Sequence, residues 1–191
     1  MEKSQGPLER LSFLVVEDSA NMRLLIRSVL KGFGAKTIHE SENGTAAFDW
    51  LKCQIPDMVI CDFHMDGING LQFTRLVRTH RESPDRFLPI IMVSSYGSRG
   101  HVLSARDAGV TEFLVKPFTP KSLYDRITAI VHHPRRFVRT KTYFGPDRRR
   151  HDGTKYSGPK RRAGEVTGPE ETPRPAEKDM HQDDINELFN P

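Results

Sequence analysis

Runs of apolar residues recur along the first 133 residues and alternate with segments in which apolar residues follow a helical period. A short apolar run bounded by turn residues is typical of a strand buried on both faces. Segments with apolar residues three and four positions apart are typical of helices that pack one face against a core. Strands are predicted at 11–16, 36–40, 58–62, 88–93 and 112–115, and helices at about 20–31, 44–51, 70–81, 98–107 and 120–131.

This alternation of five strands with five helices predicts a doubly wound α/β fold with a five-stranded parallel sheet. Four of the strands end in polar residues, and in such a sheet the carboxyl ends meet at one edge, where ligands bind. Asp62 follows a buried run directly, and an unpaired buried charge is costly, so Asp62 is predicted to be the centre of a site. The polar strand ends are Glu17-Asp18, Asp62, Ser94-Ser95 and Lys116.

The residue types at these strand ends predict a pocket that binds a phosphoryl group. Three crowded carboxylates repel one another, and a hard divalent cation relieves the repulsion; Mg²⁺ suits a site with few carboxylates. A lysine and a hydroxyl beside the metal complete such a pocket, in which Asp62 could act as a nucleophile. The alternative is a salt-bridged cluster of Asp18 and Lys116 with a capping serine.

Over about 11–131 the chain resembles the CheY-like receiver domains of bacterial response regulators. The resemblance implies a flavodoxin-like strand order, a histidine kinase or phosphotransfer protein as phosphodonor, and no enzyme activity beyond self-phosphorylation and self-dephosphorylation. It implies these roles: Asp62 as phosphoacceptor, Ser94 as switch hydroxyl, Lys116 as phosphoryl-gripping lysine, and Glu17, Asp18, Asp62 and the His64 carbonyl as the Mg²⁺ site.

Further details of the resemblance concern single positions. Phe113 takes the aromatic switch position, and Lys116-Pro117 matches a pair whose peptide bond is usually cis. Glu17 stands where aspartate is commoner, Asp66 where a proline usually stands, and Asn69 where aspartate usually precedes the glycine. The side chain of His64 is expected to be solvated.

Charge divides the rest of the chain into further segments. The net charge of the whole chain is +4, but residues 135–162 hold eleven basic and two acidic residues, and residues from 165 onward hold eight acidic and two basic ones. Such asymmetry suggests interaction elements. The predicted organisation is a flexible N-terminus (1–10), the receiver (11–133), a basic segment (134–163), an acidic Pro-rich linker (164–180) and a short amphipathic helix (181–191), with the C-terminal extension largely disordered.

Aromatic residues are interleaved in the basic segment, which suits ligands that combine phosphates with flat bases. The stretch YFGPDRRR resembles the arginine-rich extension of the Cle subfamily of CheY-like proteins, which implies binding of cyclic di-GMP. Nucleic acid, an anionic membrane surface and an inert linker are the alternatives, although no recognised DNA-binding domain follows. The implied ligand residues are Arg135, Arg136, Arg139, Tyr143, Asp147, Arg148 and Arg149.

The last residues, HQDDINELF, resemble the receiver-binding peptide of the flagellar switch protein FliM. Asp183 can cap a short helix with Ile185, Leu188 and Phe189 on one side, and we expect this helix to occupy the output face of its own or another receiver. A frayed, non-binding terminus is the alternative.

Cys53 and Cys61 make a disulfide framework unexpected, and neither a signal peptide nor a membrane span is visible, so a cytoplasmic setting is expected. The combined hypothesis is an adaptor that binds cyclic di-GMP and docks on the flagellar motor, with recruitment to the flagellated pole. A conventional phosphorylated chemotaxis or two-component receiver and a nucleic-acid-binding regulator are the rivals.

Overall fold

The computed structural model describes residues 6–148 and 179–189. Within them, five parallel strands form one sheet in the order β2-β1-β3-β4-β5, with helices on both faces, which confirms the predicted doubly wound fold. The alternating elements are β1 Ser12–Val16, α1 Ala20–Gly32, β2 Thr37–Ser41, α2 Gly44–Leu51, β3 Met58–Asp62, α3 Gly70–Thr79, β4 Ile90–Ser94, α4 Arg99–Ala108, β5 Glu112–Val115 and α5 Pro120–His132. Their bounds differ from the prediction by at most two residues.

The central strand β3 is buried along its whole length. Because side chains alternate across a strand, Met58 and Ile60 face the core beneath α1 and α5, whereas Val59 and Cys61 face the core beneath α2 and α3. Parallel pairing with β1 on one side and β4 on the other then fixes the end of β3 between its neighbours. This pairing holds Asp62 at the centre of the carboxyl edge of the sheet.

Helix α3 begins very close to Asp62. The Gly70 amide donates a hydrogen bond to the Phe63 carbonyl at 3.0 Å. A Cβ at Gly70 would lie 2.2 Å from the Asp62 carbonyl oxygen, so glycine is what permits this approach. Asn69 caps the helix by accepting from the Gln72 amide at 2.9 Å, and the Gln72 side chain accepts in return from the Asn69 amide at 3.0 Å.

The expectation that the basic segment is disordered is wrong for its first part. Residues Phe137–Arg139 (β6) and Phe144–Pro146 (β7) pair as an antiparallel hairpin. The hairpin is held on the receiver by an aromatic cluster of Phe137, Phe144 and Phe87, whose ring centroids lie 5.2–5.7 Å apart. A two-stranded hairpin is marginal alone, and this tertiary contact supplies what the local sequence does not.

Both ends of the described chain also pack on the receiver. Residues 6–10, expected to be part of a flexible N-terminus, form a turn in which Leu8 is buried. Residues Gln182–Phe189 form the predicted short helix, α6, and Ile185 and Phe189 are fully buried against the receiver of the same chain. None of the helices among the described residues is long and apolar enough to cross a membrane.

The close approach at Gly70 generates a stability prediction. Gly70→Ala should destabilise the protein by about 1–3 kcal/mol, because the new methyl group must push α3 away from the Asp62 carbonyl. Gly32→Ala is the matched control: no atom lies within 4 Å of its added Cβ, and it should be neutral or slightly stabilising. Urea unfolding of both variants measures the difference, and equal midpoints would contradict the steric argument.

Candidate functional site

The acidic pocket is organised by one ammonium group between two buried carboxylates. Lys116 Nζ donates to Asp62 Oδ1 at 2.7 Å and to Glu17 Oε2 at 2.8 Å. Glu17 is 2% exposed and Asp62 is 7% exposed. The three residues follow β1, end β3 and follow β5, so the convergence predicted from the strand ends is confirmed.

Asp18 completes a cluster whose chemistry suits a metal ion. Oxygen atoms of Glu17, Asp18 and Asp62 all lie within 4.8 Å of one another. Asp18 is exposed, so its carboxylate is open to solvent beside the two buried ones. Three hard oxygen ligands with an open side match the preference of Mg²⁺, which keeps several waters when it binds. The donor set therefore fits the predicted ion.

Burial and neighbouring charges raise the pKa of three groups in and beside this pocket. Burial raises the pKa of Glu17 and the hydrogen bond from Lys116 only partly opposes this, while Asp62 raises it further. For Lys116, burial alone would lower the pKa, but the hydrogen bonds to Asp62 and Glu17 outweigh it, and the pKa is raised. Burial raises the pKa of the Cys61 thiol well above its usual range, which keeps this neighbour of Asp62 neutral.

The predicted switch residues lie on β4 and β5: Ser94 ends β4, and Phe113 is the second residue of β5. Ser94 is fully buried, and its hydroxyl donates to the Tyr96 carbonyl at 3.1 Å while accepting from the Tyr96 amide at 3.0 Å. Phe113 is also fully buried, in the cluster that contains Ile185 and Phe189 of α6. The bond between Lys116 and Pro117 is cis, as the resemblance implies.

The three departures from the family pattern leave the chemical groups in place. The side chain of Glu17 is longer than that of aspartate, and its carboxylate still pairs with Lys116. Asp66 is exposed and lines an open groove with Asp18. Asn69 serves as the helix cap of α3. His64 is exposed, as expected; its amide donates to Asp62 Oδ2 at 3.1 Å, and its ring lies 4.9 Å from that of Tyr96.

The arginine-rich hairpin lies at the opposite end of the sheet. It contacts Gly109, which precedes β5, and Phe87, which precedes β4. Asp62 lies at the carboxyl end of β3, so the length of a strand, roughly 15 Å, separates the acidic pocket from the hairpin. The acidic pocket and the hairpin are therefore two separate regions of the surface.

Backbone and side-chain contacts fix the base of the hairpin. The Asp147 amide donates to the Arg136 carbonyl at 2.7 Å. The half-buried Arg135 guanidinium donates to the Asp147 carbonyl, and burial lowers the pKa of Arg135 despite the opposing effect of Glu112. Arg136 and Arg139 are exposed.

Arg148 is already engaged. Its guanidinium lies 3.3 Å from the ring centroid of Tyr143 and donates to Asp107 Oδ1 at 2.7 Å. The Tyr143 hydroxyl in turn donates to the Pro146 carbonyl at 2.8 Å. A ligand that uses Arg148 must therefore replace or extend these contacts. Arg149, the last residue of the predicted ligand set, lies outside the described residues.

Sequence reasoning missed the residues of the receiver that meet the hairpin. Arg78 of α3 is 1% exposed; its Nε donates to the Gly109 carbonyl at 3.0 Å, and its guanidinium lies 5.2 Å from the centre of the Phe137 ring. Nothing in a linear pattern distinguishes this arginine from a solvated one. With hairpin residues it lines a basic groove of about 280 Å³; the lining charged residues are Arg78, Arg86, Arg139 and Lys141.

Comparison with known proteins assigns most of the described chain to a family. The family model described as "Response regulator receiver domain" matches residues 13–128. A chemotaxis protein CheY homologue of Campylobacter jejuni is 36% identical over 122 residues, which are 63% of this chain and 92% of that protein. Chemotaxis protein CheY1 of Helicobacter pylori is 34% identical over 122 residues, 63% of this chain and 97% of that protein.

Solved structures of chemotaxis proteins have the same fold. The chemotaxis protein CheY4 of Vibrio cholerae aligns with a TM-score of 0.58 and 26% sequence identity, over 63% of this chain and 98% of that one. The family match ends at residue 128, before the hairpin and α6. The C-terminal extension is therefore an addition that the family match does not describe.

The raised pKa of Glu17 predicts a specific pH dependence in metal-free buffer. A carboxyl group whose pKa is higher in the folded than in the unfolded state binds protons more tightly when folded, so stability falls as pH rises from about 4.5 to the folded-state value. Glu17→Gln should remove this part of the profile. Urea unfolding with EDTA across pH 4–8 tests it, and Glu42→Gln, at an exposed position, is the control. A profile for Glu17→Gln that parallels the wild type would refute the assignment.

Proposed function

Because this chain belongs to the response regulator receiver domain family, we propose that it is a phosphorylatable adaptor that binds cyclic di-GMP through its arginine-rich segment and docks on the flagellar motor. The observation that carries the proposal is the folding of that segment onto the receiver as a hairpin with an adjoining basic groove. Binding of the nucleotide would control motility or surface attachment, and phosphorylation at Asp62 would be a second input.

The acidic pocket supports phosphorylation. Asp62 ends a rigid buried strand, and Lys116 lies 2.7 Å from its Oδ1, where it can neutralise charge on an incoming phosphoryl group. Glu17 and Asp18 lie where they would hold Mg²⁺ with Asp62. With the His64 carbonyl as a further proposed ligand, these residues would hold the ion, which would supply positive charge to neutralise an incoming phosphoryl group.

The hairpin supports a ligand that joins phosphates to flat bases. Arg136 and Arg139 are exposed, and the Phe87 ring, 58% exposed, lies at the edge of the aromatic cluster. Guanidinium groups pair with phosphates and guanine edges, and aromatic rings stack on bases. The groove of about 280 Å³ is at the small end of ligand pockets, so it would take one part of a dinucleotide.

A conventional phosphorylated receiver is the second candidate. Arg148 already donates to Asp107 and stacks on Tyr143, which is the arrangement expected if the hairpin is purely structural. The named relatives are chemotaxis proteins, and the match to them needs no extension. Under this alternative a histidine kinase or phosphotransfer protein supplies the sole signal.

Asp62→Asn should abolish labelling of the protein by acetyl phosphate in the presence of Mg²⁺, because the nucleophilic carboxylate is gone. Asp66→Asn, four residues away and exposed, is the matched control and should retain labelling. Intact-protein mass spectrometry after a borohydride or hydroxylamine trap reads the adduct. Undiminished labelling of Asp62→Asn would show that another residue accepts the phosphoryl group.

Calorimetric titration with cyclic di-GMP tests the ligand. The wild type should bind at micromolar concentration, and Arg148→Ala with Arg149→Ala should weaken binding at least tenfold, since each lost charge-assisted hydrogen bond is worth about 1.5–3 kcal/mol. Lys31→Ala with Lys121→Ala removes the same two charges from exposed sites elsewhere and is the control. Absence of binding by the wild type would favour the conventional receiver, and equal losses in both double variants would indicate a nonspecific charge effect.

A further inference from the structure

Helix α6 fills an apolar groove on the receiver. Ile185 and Phe189, four residues apart on one face of the helix, are both 0% exposed. They pack into a cluster formed with residues of β4, α4 and β5, and the Phe189 ring lies 6.2 Å from that of Phe113 at an interplanar angle of 24°. The receiver side chains of this cluster are Phe63, Met92, Val102, Ala105, Val110 and Phe113.

Polar contacts give this docking a defined register. Strand β5 is at the edge of the sheet, so one side of its backbone lacks a neighbouring strand. Gln182 Nε2 donates to the Phe113 carbonyl at 3.0 Å, and Gln182 Oε1 accepts from the Val115 amide at 2.9 Å. One side-chain amide thus makes the two hydrogen bonds that a neighbouring strand would make.

The residues before α6 fasten the loop between β4 and α4. The Met180 amide donates to the Gly97 carbonyl at 2.9 Å, and Asp179 pairs with Ser98 in an isolated antiparallel bridge. Ser98 is the residue that precedes α4, and the loop begins at Ser94 beside the acidic pocket. The tail therefore contacts the groove, the sheet edge and this loop together.

We propose that α6 is an autoinhibitory element: it occupies this face in the same chain and competes there with the short amphipathic helix of a partner protein. The partner helix would carry two apolar anchors four residues apart, the second aromatic, after an amide side chain that pairs with the edge of β5.

The competition follows from sterics and mass action. A groove that buries Ile185 and Phe189 completely has no room for a second pair of anchors. Because α6 is covalently attached, a partner competes with a local rather than a bulk concentration of the tail. The apparent dissociation constant of the partner rises by the inverse of the fraction of molecules in which the groove is open. This inference goes beyond the proposed function, since it requires neither cyclic di-GMP nor phosphorylation.

A fluorescent peptide with the sequence of residues 179–189 serves as the probe, added to the full-length protein. The wild type should bind it weakly, and Ile185→Asp in the protein should tighten binding at least tenfold if α6 covers the groove in about nine molecules of ten. Phe189→Ala should act in the same direction. Glu187→Ala, at an exposed position of α6, is the matched control and should bind like the wild type.

A second peptide with Gln182→Ala should bind the Ile185→Asp protein more weakly, because it cannot pair with the β5 edge. Equal affinity of wild type and Ile185→Asp for the first peptide, or no binding by either, would overturn the proposal. A concentration-dependent dimer of the wild type that is lost in Ile185→Asp, measured by analytical ultracentrifugation, would overturn it too, since the tail would then dock between copies. None of these measurements contains cyclic di-GMP, so their failure is distinct from that of the proposed function.

Discussion

Lys116 lies between Glu17 and Asp62, and its ammonium group makes a buried acidic pocket tolerable at the end of the sheet. Two carboxylates without this cation would repel each other in a region of low dielectric constant. The pairing depends on strand order, because β1, β3 and β5 must deliver their ends to the same edge. It also depends on close packing, because Gly70 lets α3 begin against the Asp62 carbonyl. Removing the cation would leave buried charge without compensation, which is a severe cost.

The C-terminal extension uses two other parts of the same sheet. The hairpin covers the amino ends of β4 and β5, and α6 covers the outer edge of β5. An open edge strand is a template for unwanted pairing, and Gln182 blocks part of it. The extension thus adds two contacts to the receiver, whose family match covers residues 13–128.

Helix α4 lies between these two contacts. Arg148 of the hairpin segment binds Asp107 near its carboxyl end, and Asp179 pairs with Ser98 just before its amino end. The loop from Ser94 to Ser98 connects the same helix to the acidic pocket. A shift of α4 would therefore change contacts at the acidic pocket, at the hairpin and under α6. Helix α4 is thus a physical route that couples the proposed inputs.

The linear pattern of apolar runs and polar strand ends was sufficient to predict the five-stranded sheet and the meeting of Glu17, Asp18, Asp62 and Lys116. A parallel sheet leaves few ways to arrange strands that are buried on both faces, so periodicity carries the topology. The short helix at 182–189 was also predicted, from Asp183 as a cap and from Ile185, Leu188 and Phe189 on one side.

Tertiary structure decided the rest. The hairpin at 137–146 has no strong local signal, and it forms because Phe137 and Phe144 meet Phe87, which is some fifty residues earlier in the chain. The burial of Arg78, the occupation of Arg148 by Asp107 and the docking of α6 on its own receiver likewise depend on residues distant in sequence. By itself the sequence determined which apolar runs would become the buried strands of the sheet. The folded chain decided which exposed or charged residues found partners, because such contacts depend on three-dimensional distance and not on periodicity.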